Sequence, residues 1–166
     1  MRASASAIVG QGLAHWTFYV PSMLLYFVVM PRVYGFSTLG SVWALAALSI
    51  PFILATSFLG QALGLLFRHR ETAVLLVLAS SLPQFFQVGV SWPAETLPGF
   101  LRQARDLLPS VNAIDGFVRI NQMGASLAEV RPDWLRLWAL AVLYFAIAVA
   151  LSQLRAARAM NHAQAV

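Results

Sequence analysis

Apolar residues run through this chain in long blocks that charge interrupts only at their edges. Stretches free of charged side chains extend from Ala3 to Pro31, Val33 to Phe67, Thr72 to Ala94 and Leu137 to Leu154. Crossing the hydrocarbon of a bilayer takes about 20 apolar residues at roughly 1.5 Å rise each. The pattern therefore predicts four membrane-spanning helices, over residues 13–30, 39–67, 72–90 and 134–154. Pro21 is expected to kink the first and Pro31 to end it, while Pro51 should tilt or bend the long second one. A tight polar turn, Arg68-His69-Arg70-Glu71, joins the second to the third.

Residues 91–133 differ in kind, with four arginines and five acids. Within the outer segment 92–123, Phe100, Leu101, Ala104, Leu107 and Leu108 recur at helical spacing opposite Arg102, Gln103, Arg105 and Asp106. Val111, Ile114, Phe117 and Val118 repeat the pattern. Asp115 and Arg119 stand one turn apart, the spacing of a helical ion pair, and Ser110 is a candidate N-cap. Both segments are too short and too charged to span, and read as amphipathic helices lying at, or dipping into, one membrane face. The expected fold is a single all-α integral membrane domain over residues 1–166. It has about four transmembrane helices, a re-entrant or amphipathic outer helical hairpin between the last two, and a polar tail at 155–166.

Composition sharpens this picture. With 60% hydrophobic and only 10% charged residues, and a mean hydropathy of +0.73, the chain lacks the charge that clothes a water-soluble domain. Its net charge of +5 comes from arginine without any lysine. The arginines sit at the ends of apolar runs, which suits topology anchors better than phosphate contacts, so no nucleic-acid partner is expected. Arg2, Arg68, Arg70, Arg155 and Arg158 then mark the cytoplasmic side, with both termini inside.

Chemistry is mostly excluded. Without lysine there is no P-loop lysine, so ATP would be hydrolysed by a partner and no cofactor is bound directly. Without cysteine there is no disulfide or thiol catalysis. His15, His69 and His162 have no partners at ligand spacing, and Gly35-Phe36-Ser37-Thr38 does not form a nucleophile elbow. Neither a metal site nor an enzyme is expected.

Two features inside the spans carry more information. Gly60 and Gly64 form a small-xxx-small pattern, suited to close helix packing against another span of the chain or against a second copy. Ser80, Gln84, Gln87 and Ser91 recur at i, i+4, i+7 and i+11, a polar stripe on one face of the third span. Polar groups at membrane depth must find partners. The stripe is either hydrogen-bonding glue between helices or the lining of a path for a polar or amphiphilic substrate.

The exit of that span, Val88-Gly89-Val90-Ser91-Trp92-Pro93-Ala94-Glu95-Thr96-Leu97-Pro98, follows a mid-helix Pro83 and precedes the amphipathic segment. Together with Gly60–Ala73, Leu108-Pro109 and Arg119–Ala125, it resembles the C-terminal portion of type-2 ATP-binding-cassette export permeases, a family that includes multidrug-efflux members. Gly89, Pro93 and Pro98 match that family's exit motif, while Val88 and Leu97 depart from its usual serine and methionine. The resemblance implies a permease subunit in a bacterial inner (plasma) membrane, giving drugs or other amphiphiles a path. It would work with cytoplasmic ABC ATPase subunits and a second permease subunit, as homo- or heterodimer, and in some assemblies with a membrane-fusion adaptor. Gly89, Pro93 and Pro98 would shape an outer gate, and re-entrant helices matching about Pro93–Met123 would cap the pathway. Such subunits have six spans, so the first two are expected to be missing here. The rival reading is a non-catalytic four-span scaffold or assembly protein that docks a partner through the amphipathic segment.

Overall fold

The computed structural model describes residues 5–35, 38–67, 70–87 and 105–164, all of them in helices or short connections. The first helix, α1 (Ala5–Leu24), passes through Pro21, widens into a π-helical turn (Leu25–Val29) and continues as α2 (Met30–Tyr34). Pro31 thus does not end the span. It has no N–H for the carbonyl of Phe27, and its ring would crowd that carbonyl in an ordinary α turn. The wider turn before it makes room, with the Met30 N–H donating to the Leu25 carbonyl. Arg32 donates from Nη1 to the Val28 carbonyl at 2.9 Å, serving another backbone group of the widened turn. The helix stops one turn later, at Gly35, whose φ of 68° is open to glycine at little cost.

Helix α3 (Val42–Leu66) is the hub and runs unbroken through the buried Pro51. Its Leu45 and Leu48 join Ala113, Phe117 and Ile120 of α5 (Pro109–Met123) and Leu137 of α6 (Arg131–Gln164) in one core cluster. Farther along, Ala55, Phe58 and Ala62 pack with Ile8 of α1 and with Leu140, Ala141 and Ala148 of α6. Trp134 Nε1 donates to the Ala47 carbonyl at 3.1 Å, and Arg155 Nη2 donates to the Phe67 carbonyl at 2.6 Å. Low numbers meet low and high meet high, so α3 and α6 run parallel. Helix α1 runs the other way: Gln61 Nε2 donates to the Ile8 carbonyl at 3.4 Å, beside the same cluster as Ala148. The start of α1 and the far part of α6 therefore lie at one end of the bundle.

Among the described residues, three helices are long and apolar enough to cross a membrane: Ala5–Tyr34, Val42–Leu66 and Arg131–Ala157. The third predicted span appears as α4 (Arg70–Gln87), which falls short because charge opens it and glutamine closes it. The remainder of that prediction, 88–90, lies outside the described residues. Parallel α3 and α6 nonetheless require the chain to travel back between them, and α4 starts at the Phe67 end. Its Val74, Leu75, Leu76, Val77 and Leu78 are all exposed. Five consecutive residues go fully round a helix, so apolar surface faces outward on every side, as lipid or a partner protein requires. The polar tail expected from residue 155 is a continuation of α6 as far as Gln164.

Close approach fixes the loop before α3 onto α5. A Cβ on Gly40 would sit 2.3 Å from the Ile120 carbonyl oxygen, and the neighbouring Leu39 N–H donates to the Asn121 carbonyl at 3.1 Å. Backbone cannot swing aside as a side chain can. Gly40→Ala is therefore expected to destabilise the chain by about 1–3 kcal/mol, read as a lower thermal midpoint by tryptophan fluorescence in nanodiscs. Gly60→Ala, where a Cβ meets nothing within 4 Å, should leave the midpoint unchanged or raise it.

Candidate functional site

The segment from Arg105 to Met123 runs alongside the first part of α6 in the opposite direction. Tyr144 donates its hydroxyl to the Leu107 carbonyl, while Arg119 reaches Asp133 at 3.4 Å. Tyr144 lies eleven residues beyond Asp133 on α6, so the start of α5 sits about 16 Å deeper than Arg119 at 1.5 Å per residue. That is roughly half of a 30 Å hydrocarbon core. Helix α5 is thus a re-entrant arm antiparallel to α6 and not a helix lying flat on the membrane face. The other arm of the expected hairpin lies outside the described residues up to Ala104.

Three contacts anchor the deep end. Asn112, buried on the apolar face of α5, donates from Nδ2 to the Asp106 and Leu108 carbonyls at 3.1 and 3.2 Å. Arg105 pairs with Asp115 at 2.8 Å. Pro109 occupies the first helical position, where a missing N–H costs nothing, and Leu108 holds the N-cap position. Ser110 is therefore inside the helix and not its cap. Gly116 lets α5 close onto α3, since a Cβ there would meet Leu48 Cδ2 at 2.7 Å.

Ion pairs at the shallow end bridge helices. The predicted Asp115–Arg119 pair is not made: Asp115 turns to Arg105, and Arg119 crosses to α6. Arg119 Nη1 meets Asp133, and Arg119 Nη2 donates to the Glu129 carbonyl at 3.0 Å. Arg136 approaches the other Asp133 oxygen at 3.8 Å. The long guanidinium reaches the backbone of the turn before α6 and a carboxylate on α6 itself, which an intrahelical pair would forfeit. Hydrogen bonds from the Ser126 N–H and hydroxyl hold the Glu129 carboxyl below its ordinary value. Sequence spacing missed Arg105, Asn112 and Tyr144. The available signal was Asn112 itself, a polar residue beside the apolar positions of a short helix.

The polar stripe is only partly described. Ser80 is half-buried on α4 and donates to the Val77 carbonyl at 3.0 Å, a bond within its own helix. Gln84 and Gln87 lie on α4, but their side chains fall outside the described residues, as do Ser91, Gly89, Pro93 and Pro98. Gly60 and Gly64 face outward from α3, and a Cβ on either meets nothing within 4 Å. Packing against another span of the chain is thus not seen at them among the described residues. No group of three metal-ligating side chains occurs among the described residues either.

What remains is a helical membrane unit with a half-crossing arm beside its last span. A family model described as ABC-2 family transporter protein matches residues 4–150. The chain belongs to the ABC-2 transporter family. Nothing among curated proteins or solved structures matches it. Membership makes this ABC-2 chain a multi-pass membrane permease component, a transport part and not itself the catalyst. The family in general works as a dimeric permease with an ABC ATPase.

Two outcomes test the anchoring of the ABC-2 arm. In a double-mutant cycle, Arg119→Ala and Asp133→Ala should couple by about 1 kcal/mol, the low side of the range for contacting residues because Arg119 is partly exposed. Additive losses in thermal or denaturant unfolding would contradict the brace. Glu129, with its pKa depressed in the fold, contributes stability that is full above its unfolded pKa and is lost as pH falls through the folded one. Ser126→Ala should raise the Glu129 midpoint in a carbon-13 NMR titration of labelled carboxyls.

Proposed function

We propose that the chain supplies the substrate pathway of an ATP-driven exporter for drugs or other amphiphilic molecules. It would lie in a bacterial inner membrane with both termini in the cytoplasm. Helix α4 acts as the return crossing, giving four spans. Cytoplasmic ATPases, a second permease subunit and, in some assemblies, a membrane-fusion adaptor complete the machine.

The observation that supports this reading is the exposure of α4. Among its described side chains Ser80 is half-buried and the others are exposed, which leaves apolar surface for lipid, another subunit or a part of the chain outside the described residues to cover. A stripe of Ser80, Gln84, Gln87 and Ser91 on such a helix fits poorly against acyl chains. It suits a pathway between two permease halves. Gly89, Pro93 and Pro98 would shape its outer gate, and Gly60 and Gly64 would offer a close-packing face to another subunit. Gln84→Leu combined with Gln87→Leu, in the complete subunit, is expected to cut efflux severalfold while membrane insertion and ATPase co-purification stay normal. Unchanged efflux of every substrate tested would overturn the pathway assignment.

A further inference from the structure

Helices α1 and α5 both lean on α3 and leave a crevice between them. Its deep part, a cavity of about 250 Å³, is floored by Phe27, Phe52 and Phe117 and walled by Tyr19 and Ile114. The rings of Phe27 and Phe117 lie 4.9 Å apart, and Phe52 meets Phe117 edge-on at 6.0 Å. The shallow part is wider, about 680 Å³, and shares Tyr26 with the deep one. There the lining changes to Tyr34, Thr38, Asn121 and Gln122.

The π turn helps to build this wall. In an α-helix, steps of four residues overshoot a full turn by about 40° each. A π turn holds more residues, so it winds that drift back. Ser22 and Tyr26 on the deep part and Met30 and Tyr34 on the shallow part thereby line one continuous crevice. From Ala113 to Gln122 along α5, the crevice runs about 14 Å at 1.5 Å per residue, close to the depth of one leaflet.

We propose that this crevice binds a single amphiphile with its apolar chain on the Phe27–Phe117 floor and an uncharged, hydroxyl-bearing head among Tyr34, Thr38, Asn121 and Gln122. Three observations select that occupant. The apolar-to-polar gradient follows depth, as it does along a lipid. Among the described residues none lining the shallow part is charged at neutral pH, and Arg32, next to Pro31 in the wall, directs its guanidinium to the Val28 carbonyl. Asn121 Oδ1 is buried without a hydrogen-bond partner. A turn of the Asn121 amide, itself part of the lining, brings this acceptor into the crevice, where a sugar or glycerol hydroxyl supplies the missing donor and a trimethylammonium head does not. The shallow volume also lies within the roughly 300–1,000 Å³ of small-molecule sites.

The test uses the purified full chain in phosphatidylcholine nanodiscs, without ATPase, so its outcome is independent of whether the chain exports anything. The probe is a glucosyl diacylglycerol carrying a photoactivatable diazirine in one acyl chain, compared with phosphatidylcholine carrying the same chain. Mass spectrometry of the adducts should place the glucosyl probe on the peptides holding Tyr19 and Ile114, well above the phosphatidylcholine probe. Asn121→Leu should lower that labelling about fivefold, the weight of one lost hydrogen bond. Ser22→Trp, at an exposed position on the wall, should block it with the fold intact. Competition by dodecyl maltoside added from water would show that a soluble amphiphile can enter. Its failure, with labelling retained, would assign the site to a bilayer lipid, and free maltose should not compete in either case. Equal labelling by both probes, or labelling indifferent to Asn121→Leu and Ser22→Trp, would overturn the proposal.

Discussion

A helix that enters a membrane and stops halfway exposes its end where no water can satisfy it. Such an arm survives only when protein surrounds it. That constraint organises this chain. Helix α5 ends at depth because Pro109 removes one donor, Asn112 and Tyr144 serve the carbonyls of the preceding turn, and α3 and α6 enclose its apolar face. Gly116 sets how closely α5 meets α3, and Arg119 holds its upper end to the start of α6. Loosening either contact would expose the buried end of the arm.

The same geometry explains the division of labour among the other helices. Helix α3 packs against α1, α5 and α6 along its length, so it serves as their common wall. Helix α4 has no such cover among the described residues. In an ABC-2 permease, which in general works as a dimer beside an ATPase, an uncovered apolar helix with polar positions along it suits the surface where subunits meet. The crevice between α1 and α5 is separate from that surface and opens at the end of the bundle where α5 emerges.

Much of this was legible in the sequence. Uncharged blocks marked the long helices, and the amphipathic periods after Pro109 marked α5. The motifs around Gly89 and Pro93 pointed to the family that the match over residues 4–150 establishes. Two readings failed for identifiable reasons. Pro31 looked like a helix end because an α turn cannot hold it, but a π turn can. Asp115 and Arg119 looked paired because spacing rules count neighbours on one helix, and arginine reaches farther. Gly60 and Gly64 meet no other part of the described chain, which leaves the second-copy alternative for their small-xxx-small pattern open.

The chain contains no cysteine, so single cysteines can report depth along α5 without background. Cysteines placed at Gln122 and at Ile114, in liposomes, should separate sharply. The account predicts rapid labelling of the first by a membrane-impermeant maleimide, little labelling of the second, and strongest quenching of a fluorophore at 114 by lipids labelled near mid-bilayer. Equal maleimide access at both positions, with shallow quenching throughout, would show that α5 lies along the membrane face and would contradict the re-entrant arm.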